Sequence, residues 1–137
     1  MKNLIDRCTW EKSDPANPAD IKLLMEKFGD RIPKDYLDFM ATCNGCETEI
    51  PVNPWWLIVW AAESIIDRWN GYEMEEYIPG FMAFGSNGGD EMYVFHLESN
   101  DPNKVYMMPY IGMEPDQAIP VADNFRALIE MTVVSNT

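Results

Sequence analysis

The chain has 137 residues, 47% hydrophobic, 12% aromatic and 24% charged, a globular composition at the size of one domain that excludes a disordered or collagen-like chain. Ten Lys and Arg against 23 Asp and Glu give a formal net charge of −13, which disfavours direct contact with nucleic acid or an anionic membrane surface, since both require a basic patch. The single histidine, His96, excludes multi-histidine metal sites and leaves a hydrolytic triad only one possible base.

The first helix signal follows Asn17, a capping residue, with Pro18 at the first helical position and Asp20 beside the positive end of the dipole. Ile21, Leu24, Met25 and Phe28 recur at helical spacing, and Gly29 ends the run. A second helix is predicted from about Pro33, with Tyr36, Leu37, Phe39, Met40 and Cys43 on its apolar face and Asn44-Gly45 as left-handed residues that stop it. Glu47 to Pro54 reads as turns. Trp55 to Trp60, WWLIVW, reads as a short buried strand. A third helix should bury Ile65, Ile66 and Trp69 before Asn70-Gly71. An acidic stretch and a Pro79-Gly80 turn then lead to three strands joined by short turns: Phe81 to Phe84, EMYVFHL from Glu91, and KVYMMPY from Lys104. Such spacing implies an antiparallel meander. A last helix, capped by Asp123 or Asn124, should bury Phe125, Leu128 and Ile129. No repeat or low-complexity tract interrupts this order, which is α+β: a central antiparallel sheet flanked by helices in one domain over 1–137, with its core at about 17–134.

No apolar run approaches the ~20 residues of a bilayer span; the longest, Trp55 to Ala62, has eight. The opening segment meets Asp6, Arg7 and Glu11 before an apolar signal region can form, so a cytoplasmic location is expected. Three cysteines, an odd number, fit that compartment better than a disulfide framework does.

Four motifs bear on chemistry. Cys43 and Cys46 form a C-x-x-C, but Cys43 falls in the last turn of its helix, where the dipole opposes a thiolate. A zinc site would need two further ligands, and nothing in the spacing brings Cys8 or His96 to the pair. Gly85 to Asp90, GSNGGD, lies between strands and lacks a phosphate-loop pattern, so it reads as a turn needing positive φ. His96 shares a strand face with Met92 and Val94 while Tyr93, Phe95 and Leu97 line the other face, which suits a packed histidine better than a catalytic base. The acidic run Glu73, Glu75 and Glu76 sits among Trp69, Tyr72, Met74 and Tyr77. Charge interleaved with aromatics is either a solvated face or a partner-binding rim.

Taken together and in this order, IPKDYLDFMATCNG, WLIVWAAESI, IPGFMAFGSNGGDEMYVFHL and IPVADNFRALIE resemble the SUKH superfamily, over about Ile21 to Glu130. That superfamily includes a fungal glucan-synthesis regulator and many bacterial immunity proteins against secreted toxins. The closing Ala122-Asp123-Asn124-Phe125 looks like the family's final helix start, with Asn124 where Ser is more usual. The resemblance implies an α+β fold without a known catalytic centre or cofactor, and a function in binding: an immunity protein that occupies a toxin domain, often a nuclease. A net charge of −13 would complement a basic toxin domain. The expected partner-binding residues are Trp69, Tyr72, Glu73, Glu75, Glu76, Asp90 and Glu91. A regulatory scaffold of the glucan-regulator kind is the alternative within binding proteins, and a small hydrolase using His96 with Asp90 or Glu91 is the alternative outside them. The oligomeric state is left open.

Overall fold

The computed structural model describes residues 1–133. Its frame is a six-stranded antiparallel sheet whose strands lie in chain order: β1 (Cys46–Glu49), β2 (Trp56–Val59), β3 (Phe81–Ser86), β4 (Glu91–His96), β5 (Val105–Pro109) and β6 (Ile119–Ala122). Six α-helices are present among the described residues: α1 (Lys2–Asp6), α2 (Pro18–Phe28), α3 (Lys34–Met40), α4 (Ala62–Gly71), α5 (Met74–Tyr77) and α6 (Phe125–Glu130). The expected α+β class with a central antiparallel sheet is therefore the observed one.

The meander extends beyond the three strands the turns suggested, because both edges were missed. β1 falls inside the stretch expected to be turns; its sequence, Cys-Glu-Thr-Glu, alternates half-buried and exposed positions and carries no apolar run. Charge suits a strand whose outer edge is unpaired. β6 contains Pro120, which an edge strand tolerates because one side of its ladder makes no hydrogen bonds. The short helices α1 and α5 also went unseen, since five and four residues are too few to establish a 3.6-residue period. Leu4 and Ile5 of α1 are buried, as are Cys8 and Trp10, so packed residues lie ahead of the expected 17–134 core; positions 134–137 fall outside the described residues.

Local signals fixed the other helices. Asn17 accepts a hydrogen bond from the Ala19 amide at 2.9 Å and Gly29 leaves α2 at φ 92°, while Asn124 accepts from the Ala127 amide at 2.7 Å to start α6. The apolar face of α2 is narrower than its spacing implied: Leu24 is buried, Ile21 and Phe28 are half-buried, and Met25 is exposed. Trp55 and Trp56 also depart from expectation. Trp55 sits outside the strand at φ 73° and is 62% exposed, while Leu57 and Val59 point inward.

β4 is buried on both faces, as its sequence suggested. On one face Tyr36 of α3, Phe84, Phe95 and Phe125 of α6 pack with ring centroids 4.4–5.6 Å apart except for Phe95–Phe125 at 6.4 Å, each such pair contributing about 0.5–1.5 kcal/mol beyond burial. On the other, α4 packs against β3, and α2 packs against α4 through an edge-on contact of Phe28 with Trp69 at 5.2 Å. At Gly85, beside a register shift in β3, a Cβ would collide with the Ile58 carbonyl oxygen; only glycine allows β2 to approach so closely.

Candidate partner-binding surface

The end of α4 and the short α5 place two tyrosines beside one depression, and a third comes from after β5. Tyr72 closes α4, Glu73 adopts a left-handed backbone at φ 54° that turns the chain into α5, and Tyr77 ends α5. The fourth side is supplied from the far end of the sheet. Tyr110, just past β5, donates its backbone N–H to the Asp90 carbonyl at 3.1 Å, and its ring meets that of Tyr72 at 4.8 Å and 39°. The resulting cleft, about 410 Å³, is lined by Tyr72, Glu73, Tyr77 and Tyr110 together with Gly112 and Met113. Tyr72 and Tyr77 are each 49% exposed, so large ring surfaces face water. Burial pushes the Tyr110 phenol up, and neighbouring Tyr72 acts in the same direction, while Ser86 and Arg68 pull it back; the group is an uncharged phenol at neutral pH.

The predicted residues divide between this cleft and other places. Tyr72 and Glu73 line it, Glu76 is exposed on α5, and exposed Asp90 reaches it through its backbone bond to Tyr110. Trp69, in contrast, is 1% exposed, and its indole N–H donates to the Glu75 carboxylate at 3.2 Å. Glu75 also lies 3.6 Å from the Lys27 ammonium of α2. This pair therefore ties α4 and α5 to α2 and offers no tryptophan surface to a partner. Glu91 accepts from the Asn87 amide at 3.4 Å and faces a separate depression of about 180 Å³ with Pro54, Ile119 and Pro120. Tyr110 was not anticipated. A tyrosine after a strand carries no local sign of meeting a helix forty residues earlier.

Asn44 also departs from the expected left-handed stop. Gly45 takes the left-handed conformation at φ 95°, but Asn44 does not; its side chain accepts from the Ala62 amide at 2.8 Å and donates to the Glu63 carboxylate at 2.8 Å, capping α4 from a distance. In the Gly85–Asp90 segment Gly88 alone has positive φ, at 80°; Gly85 and Ser86 continue β3.

His96 stacks flat on Phe81, with centroids 3.9 Å apart and planes 7° from parallel. Desolvation holds its pKa below the ordinary 6.5, against the opposing pull of Glu98. Glu91 and His96 are the first and last residues of β4, about 17 Å apart at the rise of an extended strand. Neither Glu91 nor the still earlier Asp90 can therefore form the dyad on which the hydrolase alternative depended. The cysteines are all free. Burial raises the Cys43 thiol to about 11 and raises Cys46 and Cys8 as well. Among the described residues no three His, Cys, Asp or Glu are grouped so as to hold a metal ion, and no helix is long and apolar enough to cross a membrane.

Residues 15–131 match the model of the SMI1 / KNR4 family (SUKH-1). The chain belongs to the SUKH-1 family. It is also similar to the uncharacterized protein YnaB of Bacillus subtilis (strain 168), at 26% identity over 133 residues that cover 96% of this chain and 86% of YnaB. At the level of the family, SUKH-1 membership supports a non-catalytic role of the immunity or regulator type, with proteins such as toxins as partners.

Proposed function

We propose that this SUKH-1 protein is an immunity protein that neutralises a basic toxin domain by binding it, without turnover chemistry of its own. The observation that carries this reading is the tyrosine cleft: exposed rings of Tyr72 and Tyr77 beside Glu73 and Glu76 on a chain of net charge −13. In a protein interface such rings are anchors, because they bury large area with little loss of side-chain freedom, whereas rim carboxylates steer encounter. A basic nuclease domain would meet both, and its own cationic substrate-binding face would be covered. The test is co-expression of the chain with a candidate basic toxin domain, such as one found encoded by a neighbouring gene. Growth restored by the chain, together with a one-to-one complex on gel filtration, supports the proposal; continued toxicity with both proteins folded and present rejects it.

A further inference from the structure

We propose that the cleft between α4, α5 and the segment after β5 is a socket for a guanidinium side chain, so that an arginine of the partner is the group it takes. This deepens the binding reading and rests on it for the nature of the partner. Three tyrosines line the space, Tyr72, Tyr77 and Tyr110, and an aromatic face attracts a cation through its quadrupole. Glu73, an acidic residue, is part of the same lining. A planar guanidinium can stack on a ring and donate two parallel hydrogen bonds to a carboxylate at once, which an ammonium cannot do.

The chain's own nearby cations are already engaged: Arg68 lies over the Trp60 ring at 4.7 Å, and Lys27 pairs with Glu75. The 49% exposed faces of Tyr72 and Tyr77 thus have no cation of this chain stacked on them among the described residues. Glu73 is held at φ 54°, a conformation that L residues other than Asn and Asp seldom adopt, and this sharp turn between α4 and α5 keeps Glu73 in the cleft lining.

The experiment titrates the full chain, carrying carbon-13 in its tyrosine rings, with N-acetyl-arginine methylamide and, separately, with the citrulline analogue, which has the same shape without the charge. Saturable shifts of the Tyr72, Tyr77 and Tyr110 ring signals by the arginine compound are expected, with citrulline binding more weakly by about threefold or more, the scale of one exposed cation–π contact. Tyr72→Ala and Glu73→Gln, both at exposed positions, should each weaken arginine binding by a similar factor while the remaining amide spectrum stays native. Unmoved ring signals, equal binding of citrulline, or an unaltered Glu73→Gln titration would overturn the socket. Arginine binding with no protection from the toxin would reject the immunity proposal alone; protection without arginine binding would reject the socket alone.

Discussion

Asn44 follows one helix in the chain and caps another in space. Its carbonyl oxygen meets the Ala62 amide and its NH₂ meets Glu63, both at 2.8 Å, so one side chain satisfies an orphan donor of α4 and fixes the first-turn carboxylate. Asn44→Ala should cost about 1 kcal/mol, the usual worth of a lost helix cap. The measurement is urea unfolding: a lower midpoint at unchanged slope is expected, and an unchanged midpoint would refute the capping role. His96 gives a pH dependence. Its folded pKa lies below the ordinary 6.5 because of desolvation, so the unfolded chain binds its proton more readily. Its contribution is fully present above pH 6.5 and is lost as pH falls through the folded value. His96→Gln should therefore flatten the stability curve between about pH 7 and pH 5, with chemical denaturation at several pH values as the check; a curve as steep as that of the native chain would show that other groups carry it.

The acidic run between Trp69 and Tyr77 reads as one feature in the sequence and is two in the structure. Glu73 and Glu76 are exposed, whereas Glu75 is held by the Trp69 indole and Lys27. Reversing Glu73 and Glu76 to Lys should slow association with a basic toxin domain by about tenfold at low salt, with the deficit shrinking beyond ~0.15 M as screening increases. Glu75→Lys should act on stability first, because it places an ammonium opposite Lys27. Tyr72→Ala should leave association nearly unchanged and hasten dissociation, at a cost of about 1–2 kcal/mol. Surface plasmon resonance across a salt series separates these effects, and wild-type rates in the double reversal would place the interface elsewhere. The element boundary explains the split: left-handed Glu73 breaks the helical phase, so positions that a continuous helix would align face different ways.

Across the whole molecule, repulsion among carboxylates outweighs pairing. The ion pairs among the described residues, Lys2–Asp6, Lys27–Glu75 and Arg126–Glu130, all involve substantially exposed groups and such pairs contribute little, against a net charge of −13. Raising NaCl from about 10 mM to about 0.5 M should therefore raise the thermal midpoint by screening; calorimetry showing a fall would mean that the pairs dominate. The sequence by itself determined the helix ends at Asn17 and Gly29, the start of the last helix to within Asp123 or Asn124, the apolar segments that became β3, β4 and β5, and the α+β order, because caps, periodicity and turns act within a few residues. Only the tertiary structure decided that Cys46–Glu49 and Ile119–Ala122 are strands, since an edge strand is defined by the neighbour it pairs with and needs no apolar run. The same holds for the cleft. Spacing shows that Trp69 and Tyr72 are aromatic neighbours on α4, but the packing of Phe28 on Trp69 and the hydrogen bond from Tyr110 to Asp90 decide that one ring is core and the other meets a tyrosine from across the sheet, and such long-range contacts leave no periodic trace in the chain.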